Sequence, residues 1–277
     1  MTPGIPLAAF ALLLLFTALI AHMRREAGRA ALETVRLTEE EDGLRIAQLT
    51  DIHIRLNRVP VTDIVRLLRE ASPHIVTLTG DYIENEADAE PFLRWMENLT
   101  GALGETPFYL CFGNHDAYAF KKNPHLKRDI IKQLKLLNVY ILENKTLQFE
   151  QNGKLYAITG FTDYYSAPYA NIRKALKGSP KNARYHIGIS HNPDIAQEFS
   201  GPRPDLLLFG HFHGGQIWMP FHLEYICLRR DQLCKSGFRR GLYNYGGRKI
   251  YISRGVGCVL FPLRLGSRPE ITLLIVP

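Results

Sequence analysis

The chain has 277 residues and a formal net charge of +7, and 22% of its residues are charged. A chain of this length can bury a large core, and its ordinary composition excludes the disordered, low-complexity and repeat classes. Its four cysteines are scattered and form no CxxC pair, so isolated reduced thiols are favoured over a disulfide or a thiolate metal site. Only Cys227 and Cys234 are close enough in sequence to raise the disulfide alternative.

The N-terminal segment, residues 5–21, is apolar and carries no charge over 17 residues. As a helix it would be about 26 Å long, near the lower limit for spanning a bilayer. Arg24, Arg25 and Arg29 follow it, which places the remaining chain on the cytoplasmic side of the inner membrane. We interpret residues 1–23 as a single-pass transmembrane anchor and residues 24–42 as a juxtamembrane linker. A cleaved signal peptide is the alternative, although no basic region precedes the apolar segment.

From residue 43 onward, segments with strand and helix patterns alternate, and no internal domain boundary is visible. The predicted strands are residues 44–50, 74–80, 107–113, 139–142, 146–150, 155–161, 185–190, 205–210, 249–255 and 270–276. The predicted helices are residues 61–71, 87–100, 126–137 and 194–199. The pattern predicts one α/β domain, residues 43–277, with a mixed sheet or a pair of sheets.

Five of the predicted strands end in residues of the types that bind metals. These residues are Asp51, His53, Asp81, Asn114, His115, Asp116, His191, His211 and His213. One such residue alone is more often a turn residue or a hydrogen-bonded core histidine. Five strand ends of this kind are a stronger signal, because the carboxyl ends of strands in an open α/β sheet meet at one crevice.

The types of side chain indicate the class of metal. Carboxylate, imidazole and amide oxygen without thiolate suit Mn²⁺ as first choice, with Zn²⁺, Fe²⁺ and Mg²⁺ as alternatives. The donors are too many for one ion, which predicts two ions about 3.5–4 Å apart that share a carboxylate and promote attack on phosphorus. Gly80, Gly113 and Gly210 precede ligands and would allow close backbone approach.

The motifs D-x-H, G-D, G-N-H-D, a lone His and G-H-x-H, in this order from Asp51 to His213, resemble the calcineurin-like metallophosphoesterase superfamily. The resemblance extends to residues 252–274. This segment and the motifs around His191 and His211 resemble a membrane-anchored bacterial branch of the superfamily. That branch includes phosphodiesterases of the YaeI and YkuE type and the chlamydial-type UDP-2,3-diacylglucosamine pyrophosphatase of lipid A synthesis. The resemblance implies a sandwich of two mixed β-sheets flanked by helices.

The resemblance also implies a role for each residue of the motifs. Asp81 would bridge the two ions. The other ligands would be Asp51, His53 and His213 for one ion, and Asn114, His191 and His211 for the other. His115 would stabilise or protonate the leaving oxygen, and Asp116 would orient the His115 ring.

One departure from the superfamily concerns Glu84. Purple acid phosphatases carry a tyrosine ligand three residues after the bridging aspartate, where this chain has Glu84. Tyr82 is adjacent to Asp81 and should point elsewhere, so a tyrosinate–iron site is not expected. All the ligands and His115 are present, which favours an enzyme over a metal-binding scaffold.

The substrate is less well defined by the sequence. Residues 221–268 contain ten basic residues and two acidic ones, which form either a solvated surface or a patch facing phosphates and anionic lipid headgroups. We assign Arg254 and Arg264 as candidate substrate contacts. The apolar residues of the segment 259–265 would either pack in the core or contact acyl chains.

Three functions remain open at this stage. The first is cleavage of a phosphodiester or pyrophosphate in a membrane lipid, with UDP-2,3-diacylglucosamine as the leading candidate and the bilayer as partner. The second is a broad-specificity phosphodiesterase or nuclease, although no aromatic-interleaved basic groove is visible and nucleic acid is not expected. The third is a non-catalytic membrane scaffold. No protein partner can be inferred, and Asp163, Tyr164 and Tyr165 either line the pocket or form a turn.

Overall fold

In the computed structural model, residues 7–164, 172–176, 178–199, 201 and 204–277 are described. The predicted alternation of strands and helices is present along this part of the chain. Its strands are β1 (Ala31–Arg36), β2 (Leu44–Leu49), β3 (Ile75–Thr79), β4 (Phe108–Cys111), β5 (Val139–Ile141), β6 (Lys145–Gln151), β7 (Lys154–Gly160), β8 (Tyr185–Ile189), β9 (Leu206–Phe209), β10 (Gly241–Tyr245), β11 (Arg248–Ile252) and β12 (Glu270–Val276). Its α-helices are α1 (Leu7–Ala27), α2 (Val61–Ala71), α3 (Ala89–Leu103), α4 (Asn114–Lys122), α5 (Pro124–Leu136), α6 (Ile172–Leu176), α7 (Leu223–Ile226) and α8 (Gln232–Lys235).

The strands form two mixed sheets. The first has the order β1-β12-β2-β3-β4-β5 and the second the order β10-β11-β9-β8-β7-β6. Strands β2 to β5 pair in parallel, whereas β12 runs antiparallel to β2. In the second sheet β7, β8, β9 and β11 pair in parallel, and the two edge strands are antiparallel to their neighbours. The prediction of two mixed sheets is therefore confirmed.

The two sheets pack face to face and are covered on their outer faces by helices. Side chains between the sheets form one core, which includes Ile46 of the first sheet and Leu206 of the second. A second core lies between the first sheet and helices α2, α3 and α5. A third lies between the second sheet and the short helices that include α7 and α8. This layering leaves the carboxyl ends of β2, β3, β4, β8 and β9 free to meet at one rim.

Helix α2 shows how closely a strong pattern fixes an element. It spans the residues predicted from sequence, and its buried side chains recur at helical spacing. These buried residues are Ile64, Leu67, Leu68 and Ala71. The helix ends at Ser72, whose left-handed backbone donates back to the last turn.

The predicted linker, residues 24–42, instead contributes regular structure to the domain. Helix α1 continues through Ala27, and β1 adds an edge strand to the first sheet by pairing in parallel with β12, Ala31 opposite Glu270. The interpretation of this segment as a linker was wrong. An edge strand needs few buried side chains, and β1 has none that is fully buried, so its apolar alternation is weak.

The structure leaves the predicted membrane anchor as a prediction. None of the helices in the described part of the chain is both long enough and apolar enough to cross a membrane. The predicted anchor, residues 5–21, begins outside the described residues.

All four cysteines are free, as the sequence favoured. Cys111, Cys234 and Cys258 are buried and Cys227 is exposed. Burial raises the pKa of the Cys234 thiol to about 11, so this side chain is a neutral core residue and not a thiolate ligand.

Candidate metal centre

Five strand ends bring the polar residues of the motifs together. In the first sheet the parallel neighbours β2, β3 and β4 lead to Asp51, Asp81 and Asn114. In the second sheet the parallel neighbours β8 and β9 lead to His191 and His211. The two sheets meet at this edge, since Nε2 of His191 lies 2.9 Å from Oδ2 of Asp81.

Asp51, His53 and His213 form the first group of potential ligands. Their ligand atoms all lie within 4.8 Å of one another, and all three residues are buried. Nε2 of His213 is 3.2 Å from Oδ1 of Asp51, and the Nε2 atoms of His213 and His53 are also 3.2 Å apart. Two imidazoles and a carboxylate that converge in this way can share one cation.

Asp81, His191 and His211 form the second group, again with ligand atoms within 4.8 Å of one another. Nδ1 of His211 lies 3.1 Å from Nε2 of His191. Oδ2 of Asp81 also lies 3.8 Å from Nε2 of His53 in the first group. The Asp81 carboxylate therefore faces both groups, which is the position that a bridging ligand requires.

Asn114 supplies an independent test of whether metals fit this site. Its Oδ1 atom is buried and has no hydrogen-bond partner among the described residues. Buried amide oxygens nearly always have a partner, and a divalent cation would satisfy this one. Together with the carboxylates and imidazoles, this oxygen makes a donor set that fits a pair of divalent cations.

The protonation of the histidines follows from their surroundings. Nδ1 of His191 donates to the Thr79 carbonyl at 2.8 Å, which directs Nε2 toward Asp81. Burial opposes a charge on His191, but the Asp81 carboxylate raises its pKa to about 10. Burial is also the main cause that lowers the pKa values of His211 and His213, which keeps both rings in the neutral form that binds metals.

Five of the predicted ligands have a left-handed backbone. Their φ angles are 52° at Asp51, 39° at His53, 60° at Asp81, 74° at His211 and 52° at His213. Residues other than glycine seldom adopt this conformation, and each case costs on the order of 1–3 kcal/mol. The surrounding packing therefore holds the ligands in an arrangement that the local sequence alone would not adopt.

Glycines next to the ligands allow this close packing, as predicted. A Cβ atom on Gly113 would lie 2.2 Å from Oδ1 of Asp81, and one on Gly210 would lie 2.4 Å from Oδ2 of Asp51. Gly255, in the segment that follows β11, has φ +70° and would place a Cβ atom 2.7 Å from Cβ of Asp51. Any side chain at these positions would displace a ligand.

Glu84 is a site residue that the sequence did not identify as functional. Its two carboxylate oxygens bind Nδ1 of His53 at 2.8 Å and Nδ1 of His115 at 2.9 Å. Despite its partial burial, these histidines lower the pKa of Glu84 to about 2. Burial opposes a charge on His115, but Glu84 and Asp81 raise its pKa to about 9. The only sequence signal for Glu84 was its position in the loop that carries Asp81.

The calcineurin-like phosphoesterase family model matches residues 44–215, the range that contains every predicted metal ligand. The chain belongs to the calcineurin-like phosphoesterase family.

Three relatives of this phosphoesterase agree with the assignment. The metallophosphoesterase YkoQ of Bacillus subtilis (strain 168) is 29% identical over 273 residues, which cover 94% of this chain and 95% of YkoQ. Phosphodiesterase YaeI of Escherichia coli (strain K12) is 29% identical over 233 residues, which cover 83% of this chain and 81% of YaeI. The metallophosphoesterase YkuE of B. subtilis is 26% identical over 249 residues, 84% of this chain and 78% of YkuE. The predicted family and the prediction of a metal-dependent phosphoesterase are confirmed.

The role predicted for Asp116 in this phosphoesterase was wrong. Its carboxylate does not contact the His115 ring, which Glu84 binds instead. Asp116 accepts backbone N–H groups of Asp81, Tyr82, Ile83 and Gly113 at 2.8–3.0 Å. It therefore fixes the loop that carries the bridging ligand, and burial with the nearby Asp81 charge raises its pKa to about 7.

The two arginines predicted as substrate contacts have partners within this phosphoesterase. Arg264 is fully buried, and its guanidinium donates to backbone carbonyls, among them those of Gly257 and Ser267. Arg254 is engaged by two carboxylates, Glu270 at 2.5 Å and Glu33 at 2.9 Å. The guanidinium groups of both arginines are therefore engaged by other groups of the chain.

Arg229 is a further arginine close to the centre. It is half-buried and forms no ion pair among the described residues. Burial is the main cause that lowers the pKa values of His211 and His213, and the Arg229 charge also contributes, at His213 after the charges of His53 and Arg264. Arg229 lines a groove of about 410 Å³ that begins at Gly215, two residues after His213. The other lining residues are Gln216, Ile217, Met219, Glu224, Leu228, Val259, Leu260 and Phe261.

The segment with Tyr164 contributes one buried acid near the centre. Asp163 is buried and lines a cavity of about 210 Å³ beside Gly113. The Tyr164 hydroxyl donates to Glu198 at 3.3 Å and so points away from the cavity. Tyr165 lies outside the described residues. Tyr82 points elsewhere as predicted, because its hydroxyl donates to the Cys111 carbonyl at 2.7 Å.

Proposed function

We propose that this chain hydrolyses a phosphodiester or pyrophosphate bond in a membrane lipid. The observation that carries the proposal is the apolar groove lined by Arg229 and by Gly215, which follows His213 by two residues. A phosphate bound near the metal centre would place the rest of a lipid molecule in this groove. A site for small polar phosphoesters would have no use for an apolar channel of this size.

Two divalent cations fit the centre, and Mn²⁺ is our first choice. Asp81 bridges them. Asp51, His53 and His213 would hold one ion, and Asn114, His191 and His211 would hold the other. When bound, such ions supply Lewis acidity toward phosphate oxygens and lower the pKa of a water molecule.

The chain's own residues handle the leaving group and the substrate phosphate. Glu84 holds Nδ1 of His115, which leaves Nε2 of that ring to donate a proton to the departing oxygen as the phosphorus–oxygen bond breaks. A water molecule provides the new oxygen on phosphorus. Arg229 holds a phosphate oxygen at the entrance to the groove.

The groove favours acyl contact for part of the segment 259–265. Leu260 is 77% exposed and Phe261 62% exposed, so core packing does not account for either side chain. Both residues line the groove with Met219 and Leu228. Acyl chains lying against these four side chains would bury apolar surface that the folded chain leaves in water.

Our preferred substrate within this class is UDP-2,3-diacylglucosamine, with UMP and 2,3-diacylglucosamine 1-phosphate as products. This choice comes from the resemblance to the membrane-anchored branch. Residues 5–21 anchor the chain in the inner membrane, and the Arg24–Arg25 pair holds the catalytic domain on the cytoplasmic side. A broad-specificity phosphodiesterase or nuclease is the second candidate, supported by the match to phosphodiesterase YaeI. A scaffold would have no need of His115.

Turnover of three substrates by detergent-solubilised chain with Mn²⁺ tests this function. The substrates are UDP-diacylglucosamine, single-stranded DNA and a chromogenic phosphodiester. The proposal expects the highest kcat/KM on the lipid, and Arg229→Ala should lower that value while Arg94→Ala, at an exposed arginine on α3, leaves it unchanged. Equal turnover of all three substrates would instead support the generalist. Bound metal without turnover of any would support the scaffold.

A further inference from the structure

Two adjacent loops expose large apolar side chains at the mouth of the groove. We call these two segments, residues 217–228 and 259–261, the docking face. The loops are joined by backbone and side-chain hydrogen bonds, such as Gln216 Nε2 to the Val259 carbonyl at 2.8 Å. The most exposed members are Phe221 at 88%, Leu260 at 77%, Leu228 at 68%, Ile226 at 62% and Phe261 at 62%.

The backbone at the tips of the docking face holds these side chains outward at a cost. Phe221 has φ 59° and Leu260 has φ 63°. A left-handed conformation is unfavourable for large side chains, and it occurs mainly where function requires it. Neither side chain gains burial in return, so the folded chain alone offers no compensation for this strain.

The charge around the docking face is positive. The guanidinium of Arg240 stacks on Trp218 at 3.8 Å, and that of Arg239 lies 4.9 Å from the centre of the Tyr225 ring. The two acidic residues of this region, Glu224 and Asp231, are each only 3% exposed. Exposed apolar tips beside arginines match the acyl chains and phosphates of an anionic lipid surface.

The N-terminal helix leads to the same side of the molecule. The backbone N–H of Arg264, three residues after Phe261, donates to the Met23 carbonyl near the end of α1 at 3.2 Å. The preceding part of α1 exposes apolar side chains, among them Leu12 and Leu15. The C-terminal end of α1 therefore lies close to the loop that carries Leu260 and Phe261.

We propose that the docking face inserts into the surface of an anionic lipid bilayer. Phe221, Ile226, Leu228, Leu260 and Phe261 enter the acyl region, while Arg239 and Arg240 bind lipid phosphates. This interaction rests on the proposed function, since its use is to place the mouth of the groove against the layer that holds the substrate. A lipid could then slide its head group toward the metal centre without leaving the bilayer.

Native tryptophan fluorescence tests the insertion directly. Trp218 belongs to the docking face and is 41% exposed, whereas Trp95 is 6% exposed in the core and gives a constant background. The full chain is reconstituted into phosphatidylglycerol-containing vesicles in which part of the lipid carries brominated acyl chains. We expect Trp218 emission to fall as the brominated fraction rises, and Trp218→Phe to abolish this loss.

Matched variants show whether the apolar tips cause the contact. Phe221→Asn and Leu260→Asn remove the apolar side chains and suit a left-handed backbone, so they should fold and reduce the quenching. Leu136→Asn, at an exposed leucine at the end of α5, should leave it unchanged. Full quenching of the paired Asn variants, or no quenching of Trp218 in the unaltered chain, would overturn the proposal. Burial of Trp218 from water that depends on protein concentration and not on lipid would show that the docking face binds a second copy of the chain. That result would also overturn the proposal.

Turnover of a soluble phosphodiester separates this proposal from the proposed function. Phe221→Asn should retain it, because Phe221 belongs neither to the metal centre nor to the residues that line the groove. Quenching without turnover of any phosphoester would refute the function and leave the docking face in place. Turnover without quenching would refute the docking face and leave the proposed function in place.

Discussion

Replacing Glu84 with glutamine should lower kcat/KM for a phosphodiester by about 10- to 100-fold, the usual cost of removing a side chain that orients a ligand. This range corresponds to about 1.4–2.7 kcal/mol of transition-state stabilisation. The carboxylate accepts from Nδ1 of both His53 and His115, at 2.8 and 2.9 Å. Glutamine has a single acceptor oxygen. Its NH₂ group is a donor and cannot form a hydrogen bond with the Nδ1–H of the second ring.

The consequence differs between the two rings. At His53, a shift of the proton from Nδ1 to Nε2 would block the atom that faces His213 and Asp81, so metal affinity would fall. At His115, loss of the carboxylate would favour the neutral ring with its proton on Nε2, which is a weaker acid than the imidazolium that Glu84 supports. Excess Mn²⁺ should therefore restore metal content but only part of the turnover.

Steady-state kinetics and elemental analysis of the Glu84→Gln variant measure both effects. Glu86→Gln is a matched control two residues away, since Glu86 is exposed and its carboxylate accepts one hydrogen bond, from Asn123, among the described residues. Glu84→Asp keeps the charge and should recover part of the loss. Wild-type kcat/KM and metal content in Glu84→Gln would refute the dual role of this carboxylate.

Other perturbations test the assigned roles. His115→Ala should keep metal content and lose most of the turnover, whereas Asp81→Ala should lose both; two ions retained by Asp81→Ala would disprove the bridging assignment. Arg264→Ala would remove a buried guanidinium from several carbonyls, at a cost of about 3 kcal/mol or more, and lower Tm by about 6–12 °C in thermal unfolding. An unchanged Tm would contradict that structural role. The pKa of His191 is about 10 in the metal-free chain, so a cation must displace a proton, and metal affinity measured by calorimetry should rise roughly tenfold per pH unit for one displaced proton. An affinity independent of pH would show that His191 binds no metal.

The fold was predictable where apolar periodicity was strong. Helix α2 has the predicted residues, and the strands between β2 and β9 lie within about two residues of their predicted positions. Elements with few buried side chains were missed. Among them are β1 and β10, which are edge strands of the first and the second sheet. Helix α4 was also missed, because it starts on Asn114 and carries the ligand motif in its first turn.

The metal ligands were predictable because their chemistry is visible at single positions. A carboxylate or an imidazole at the end of an apolar strand is conspicuous, and several such ends imply a common crevice. The supporting residues have no such signal. Glu84, Arg229 and Arg264 are ordinary charged residues in the sequence. Only the tertiary structure shows that Glu84 binds two histidine rings, that Arg229 lines the groove and that Arg264 is buried among backbone carbonyls.

The supporting residues also explain how the metal centre can exist at all. Left-handed backbones at Asp51, His53, Asp81, His211 and His213 would be unstable in an isolated loop. Bonds from groups outside the ligand set hold part of this arrangement: Asp116 accepts four backbone N–H groups around Asp81, and Arg264 binds the chain behind His213. The fold thus places the ligands before any cation binds. Binding of the cations therefore does not have to order the loops that carry the ligands.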